Sequence, residues 1–107
     1  MAVAEVRKLT PSQRQFVEQA KNRMKDLNGM EKDIRKRMKV CSEERCVELE
    51  EWFETLESFK SQASVEIEMI EQASENEWAE RRQRVDQFLG DAEREFEIGY
   101  EILERPE

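Results

Sequence analysis

Residues that interrupt helices are scarce in this chain. It has three glycines and two prolines among 107 residues, so it has few places to turn other than helix ends. Charged residues make up 41% of the sequence, and Glu and Arg are the most abundant residues, as is typical of coiled coils and long helices. High charge with low hydrophobicity is also typical of disordered chains. The regular spacing of the apolar residues favours helices instead.

The first strong helix signal is Thr10, which can cap a helix, with Gln13 completing a capping box. A heptad stripe follows and keeps its phase without a slip, which predicts one helix over residues 11–41. Asn28 and Gly29 would normally end a helix, but the stripe continues across them, so we expect the helix to continue as well. The stripe consists of Val17, Ala20, Met24, Leu27, Glu31, Ile34, Met38 and Cys41.

Two more helices are predicted, over residues 43–73 and 75–104. Ser42 and Ser74 are suitable N-caps, and Glu77 could complete a capping box with Ser74. The apolar stripe of the second helix is wider than that of the first and richer in aromatic residues. A wide stripe is expected to contact two neighbours rather than one.

Three helices of similar length with short connections predict an all-α fold, an up-down-up bundle with coiled-coil-like packing. We expect residues 10–107 to form a single domain and residues 1–9 to form an N-terminal tail. Residues 65–69 and 96–102 alternate between apolar and polar side chains, as strands do. Both segments lie inside longer helical patterns, so a strand there is the less favoured alternative.

The net charge of −8 is distributed unevenly. Residues 1–45 carry +5 and residues 46–107 carry −13, so we expect the basic and acidic parts to pack side by side and partly neutralise each other. The densest basic run lies in the first helix and could instead bind phosphate groups of nucleic acid or acidic lipid. The candidate anion-binding residues are Lys32, Arg35, Lys36 and Lys39.

Residues suited to catalysis are few. The chain has no histidine, the commonest general base and metal ligand. Cys41 and Cys46 are the strong nucleophiles, and neither has a histidine to activate it. We therefore predict no enzymatic activity, no catalytic residues, no cofactor and no metal site. We expect both cysteines to be free thiols that fill apolar space in a cytoplasmic protein, and a thiol enzyme is a remote alternative.

The apolar residues that lie off the main stripes suggest a function. Helices two and three carry more apolar surface than the thin first helix can cover, and exposed apolar patches usually mark interfaces. We expect a non-catalytic protein–protein interaction module (an adaptor, assembly subunit or chaperone-like protein) that forms homodimers, the commonest symmetric assembly. The alternative is a binder of anionic surfaces through helix one. The candidate interface residues are Val65, Met69, Ile98, Tyr100 and Ile102.

Overall fold

The computed structural model describes residues 9–106 and consists of three long helices. Helix α1 is Pro11–Arg37, α2 is Glu43–Glu71 and α3 is Glu75–Glu104, with a short 3-10 turn at Met38–Val40 after α1. The predicted all-α three-helix bundle is confirmed. Most of the predicted tail, residues 1–8, lies outside the described residues, as does residue 107.

Three different caps begin the helices. At α1 the predicted capping box is present: the Gln13 backbone N–H donates to Thr10 Oγ1 at 3.1 Å, and the Thr10 N–H donates to Gln13 Oε1 at 3.1 Å. At α2 the Ser42 hydroxyl accepts from the backbone N–H of Arg45. Ser74 is the N-cap of α3, but its side chain makes no capping bond. The predicted box between Ser74 and Glu77 is therefore wrong.

Helix α1 passes through Asn28 and Gly29 without a break, as predicted. Leu27 and Ile34 are fully buried on either side of the pair, so the core holds the helix together where propensity would end it. The helix ends at Arg37 rather than at residue 41, because the last turn tightens into the 3-10 segment. The strand alternatives are wrong, since residues 65–69 lie within α2 and 96–102 within α3.

The core is one continuous cluster of apolar side chains contributed by all three helices. Near the start of α1, the rings of Phe16 and Trp78 meet edge to face at 6.1 Å. Toward the other end, Trp52 of α2 packs against Phe96 of α3 at 5.4 Å. Helices α2 and α3 pack together more extensively than either packs with α1, so α1 lies on an α2–α3 hairpin.

Ion pairs between the basic first helix and the two acidic helices confirm that the oppositely charged segments lie side by side. Lys21 Nζ lies 2.8 Å from Glu71 Oε1 of α2. The Arg23 guanidinium lies 3.1 Å from Asp86 of α3 and also contacts Glu93. These pairs are solvent-exposed and contribute roughly 0–1 kcal/mol each, so they set the register of the helices more than their stability.

Candidate interaction surfaces

A groove runs between α1 and α2, because α1 packs loosely on that side. Its main hollow has a volume of about 560 Å³, with Met24 and Ile67 as its apolar lining. A second hollow of about 390 Å³ shares Met24 and Ser64 with the first and extends to Glu57 and Val65. The groove is open along its length, so it could hold a helix or another elongated segment, but it does not enclose a small molecule.

The α1 side of the groove is basic. Lys25 lines the main hollow, and Lys32 and Lys36 follow it at helical spacing, seven and eleven residues farther along α1. We name these three exposed lysines the α1 lip. Within residues 9–106 none of these three lysines forms an ion pair, and Lys32 and Lys36 belong to the predicted anion-binding set. Lys39 of that set is exposed in the 3-10 turn.

Arg35, the fourth predicted anion-binding residue, already has partners inside the bundle. Its Nε donates to Glu31 Oε2 at 3.1 Å, and its guanidinium lies 4.1 Å above the Phe53 ring. A cation held over an aromatic face and paired with a carboxylate is stabilised where it is. Arg35 therefore links α1 to α2 and is a poorer candidate for binding phosphate than the three lysines.

The α2 side of the groove is acidic. Glu57 and Glu68 line the two hollows, and Glu54 is about one turn before Glu57. We name these three exposed glutamates the α2 lip, and they form no ion pair with any other described residue. Lys60 is a basic residue on this otherwise acidic side. Its charge is already neutralised, because its Nζ lies 2.7 Å from Glu31 Oε1 in a half-buried ion pair. The two lips thus face solvent with opposite, unneutralised charge.

Helix α2 has a charge-free window on its outer surface. Between Glu57 and Glu68 every exposed side chain is uncharged, in a chain that is 41% charged. The centres of protein interfaces are depleted in charged residues and their rims are polar, an arrangement that the window and the two lips share. The exposed members of the window are Ser58, Ser61, Gln62, Ser64 and Val65.

The predicted interface residues do not form one patch. Val65, Met69 and Ile98 are 53%, 40% and 47% exposed. Trp52 contacts the segment of α3 that contains Ile98, and Val65 lies thirteen residues farther along α2, which is roughly 20 Å at 1.5 Å per residue. Ile102 is only 6% exposed, so placing it on the surface was wrong. It belongs to the core because α3 is buried against both other helices.

Tyr100, the fifth candidate, is half-buried and tied to α1. Its hydroxyl donates to Asp33 Oδ2 at 3.1 Å, and the Arg37 guanidinium lies 5.8 Å from the centre of its ring. Burial raises the pKa of Tyr100, and the hydrogen bond to Asp33 raises it further. Tyr100 therefore joins α3 to α1 within one chain.

Glu31 is the most constrained carboxylate of the groove. Burial raises the pKa of Glu31, but the hydrogen bonds from Lys60 and Arg35 lower it by more, so the net pKa is below that of an exposed glutamate. The residue occupies a position of the heptad stripe that would otherwise be apolar. It accepts hydrogen bonds from Arg35 of α1 and from Lys60 of α2, so its role is to hold the two helices together.

Cys41 and Cys46 form a disulfide, with their Cα atoms 5.8 Å apart. The expectation of free thiols is therefore wrong. It rested on the cysteine count, since two cysteines make no disulfide framework, and on the expected cytoplasmic location. In the structure Cys41 is extended (φ −91°, ψ 157°) and precedes α2. That geometry brings the two Cα atoms within the range a disulfide requires. The bond closes the corner between the 3-10 turn and α2.

No protein-family model, curated protein or solved structure matches this chain at a significant level. Within residues 9–106 none of the helices has a stretch long and apolar enough to cross a bilayer. The charge-free window was missed in the sequence, although residues 58–65 contain a single charge and could have been found as a local drop in charge density. The apolar stripes indicate where apolar side chains are buried, whereas most of the exposed side chains in the window are serine and glutamine.

Proposed function

We propose that this protein is a non-catalytic helical protein–protein interaction module, an adaptor, assembly subunit or chaperone-like protein, which associates with itself. The charge-free window on α2 carries the proposal. An exposed helical face without charge in a chain this highly charged, with Val65 more than half exposed at its end, shares with interface centres their depletion of charged residues, although its serines make it more polar than most such centres.

Sedimentation velocity from low micromolar to several hundred micromolar tests the proposal. We expect a monomer–dimer equilibrium, because exposed patches of this kind are commonly covered by symmetric dimers. A wild-type protein that stays monomeric over the whole range would refute self-association.

Val65→Glu and Val47→Glu form a matched pair for the same experiment. Both valines are in α2 and are exposed to a similar extent, 53% and 51%. They are eighteen residues apart, five complete helical turns, and so lie on the same line along the helix. Val65→Glu should weaken association, whereas Val47→Glu, outside the window, should leave it unchanged. Equal effects of the two substitutions would remove the window from the interface.

The binding of anionic surfaces is a second candidate function, favoured by the exposed lysines of the α1 lip. Titration of the protein into labelled single-stranded DNA, and into vesicles containing acidic lipid, would detect it. Binding should fall steeply with salt and should be lost when Lys32 and Lys36 are both changed to Gln. Binding that survives this double change would assign the affinity to another part of the surface.

We also propose a cytoplasmic location, although the Cys41–Cys46 disulfide counts against it, so the redox state of this pair in cells is the test. Disulfides persist in oxidising compartments and are rare in the reducing cytoplasm. Alkylation of intact cells followed by mass spectrometry should find Cys41 and Cys46 as reduced thiols if the protein is cytoplasmic. A fully oxidised pair in cells would place the protein in an oxidising compartment instead.

A further inference from the structure

The two sides of the groove between α1 and α2 carry opposite charge, and this pattern restricts how two copies could meet. A two-fold axis in the plane of the contact can run parallel or perpendicular to the helices. The parallel axis brings the α1 lip of each copy opposite the α2 lip of the other, lysine opposite glutamate. The perpendicular axis brings α1 opposite α1 and α2 opposite α2, so that like charges meet, which disfavours association.

We propose that two copies of this chain pack groove to groove about a two-fold axis parallel to the helices, with each α1 lip against the partner copy's α2 lip. This inference rests on the proposed self-association and specifies its surface and symmetry. The candidate interface residues on α3, Ile98, Tyr100 and Ile102, take no part in it. Val65 does, because it lines the groove.

The heights of the charges can be compared because two ion pairs fix the register of α1 on α2. Lys21 pairs with Glu71 and Glu31 pairs with Lys60. Helices α1 and α2 run antiparallel, so residue numbers rise along one helix as they fall along the other at the same height. In both ion pairs the two residue numbers add up to 91 or 92. Any residue of α1 is therefore level with the residue of α2 whose number completes that sum. An axis parallel to the helices leaves height unchanged between the two copies.

The lips match in height as well as in charge. Lys32 is level with residue 59 or 60, so Glu57 is at most three residues away, which is roughly 5 Å along the axis. A lysine side chain can span that distance. The same register places Lys25 near Glu68 and Lys36 near Glu54, each within two residues. Because the axis repeats every contact, three matched levels give six opposite-charge pairs.

The face is also large enough. Helix α1 has 27 residues, which corresponds to roughly 40 Å at 1.5 Å per residue. Two helices side by side, about 10 Å apart, present a face about 20 Å wide. The product is about 800 Å² per copy, the area that a standard stable interface buries on each partner. Gly29 lies on the α1 side, and a Cβ built there has no described atom within 4 Å, so there is room at this position for a second helix to approach.

Two charge-reversed proteins test this arrangement in the full chain. One carries Lys32→Glu and Lys36→Glu, and the other carries Glu54→Lys and Glu57→Lys. Each alone would place like charges opposite each other at every altered level, so each should dimerise about 100-fold more weakly than wild type. An equimolar mixture should form a heterodimer within about threefold of the wild-type affinity, since every lysine again faces a glutamate.

Native mass spectrometry, with one protein labelled with ¹⁵N, would distinguish the heterodimer from either homodimer, and circular dichroism would establish that each variant is folded. The control is Glu97→Lys with Glu101→Lys, two exposed positions one turn apart on α3. This control changes the net charge by as much as the α2 reversal does and should leave dimerisation unchanged.

The outcomes separate this inference from the proposed function. A monomeric wild type would overturn both. A wild-type dimer that tolerates both reversals would leave self-association in place and overturn the groove as its surface. Variants that become monomeric but do not recover on mixing would overturn the parallel axis. Recovery on mixing, with the α3 control unaffected, supports the surface and the axis together.

Discussion

A side chain at position 99 of α3 should destabilise the fold, because Trp52 occupies the space where a Cβ would be. A Cβ built on Gly99 would be 2.5 Å from Trp52 Cζ2 and 2.6 Å from Cε2. The indole cannot move aside easily. Its Nε1 donates to the backbone carbonyl of Glu95 at 2.7 Å, and its ring packs against Phe53 and Phe96.

The magnitude follows from opposing contributions to the free energy of unfolding. Alanine is a better helix former than glycine by about 1 kcal/mol. Forcing an extra methyl group into a packed core costs about 1–3 kcal/mol, and weakening the indole hydrogen bond adds about 0.5–1.5 kcal/mol. The steric costs exceed the gain in propensity. We therefore expect Gly99→Ala to destabilise the fold by about 1–3 kcal/mol.

Gly29→Ala is the matched control, because it is the same change in the interior of another helix. A Cβ on Gly29 would have no atom within 4 Å, so only the gain in helix propensity remains and stability should rise by about 0.5–1 kcal/mol. Urea denaturation followed by circular dichroism at low protein concentration measures both changes. If Gly99→Ala is neutral or stabilising, Trp52 does not occupy the position described here.

Three further predictions concern the caps, the corner and the groove. Thr10→Ala should cost about 1 kcal/mol, whereas Ser74→Ala should change stability by less than about 0.5 kcal/mol because that side chain makes no capping bond; thermal denaturation compares them. Reduction of the Cys41–Cys46 disulfide should lower the unfolding free energy by about 2 kcal/mol, measured in urea with and without reductant. Glu31→Gln should cost about 1–2 kcal/mol at pH 7. The folded-state pKa of Glu31 is lowered, so its contribution is present above the unfolded pKa, near 4.3, and the difference from wild type should disappear as the pH falls through the lowered folded-state pKa.

The heptad stripe predicted α1 well because its evidence is local. Val17, Ala20, Leu27 and Ile34 are all buried as the stripe requires. The stripe also predicted correctly that α1 continues through Asn28 and Gly29. A helix with buried side chains before and after two residues of low helix propensity gains more free energy from packing than it loses at those residues. The end of the helix was predicted less well, because a change from α-helical to 3-10 geometry leaves little trace in apolar spacing.

The errors on α3 have a tertiary cause. The sequence places Phe96, Gly99 and Leu103 on one stripe, which makes Ile102 look peripheral. In the structure Gly99 leaves room for Trp52, a residue of another helix, and α3 is buried across a wider arc than its own stripe indicates. Ile102 therefore enters the core. No pattern within α3 records which side chain of α2 fills the gap at a glycine.

The disulfide and the groove depend on relations that cross element boundaries. The distance between Cys41 and Cys46 depends on the residue at which α2 begins and on the extended backbone of Cys41 before it, and the presence of two cysteines in the sequence indicates neither. Which lysines of α1 are level with which glutamates of α2 depends on the register of the two helices, and the long-range pair between Glu31 and Lys60 fixes that register. The uneven charge along the chain was visible in the sequence, but which charges remain unpaired was not.

The unpaired lysines connect the two candidate functions. The bundle pairs Lys21 and Arg23 internally, whereas Lys32 and Lys36 remain exposed. If these two lysines face a second copy's glutamates they are not available to phosphate, and if they bind phosphate the dimer loses two of its matched levels on each side. Binding to an anionic surface and self-association are therefore linked with negative coupling, and each should weaken the other by the same factor. The two proposals thus describe alternative states of one groove, selected by which carboxylates or phosphates face the α1 lip.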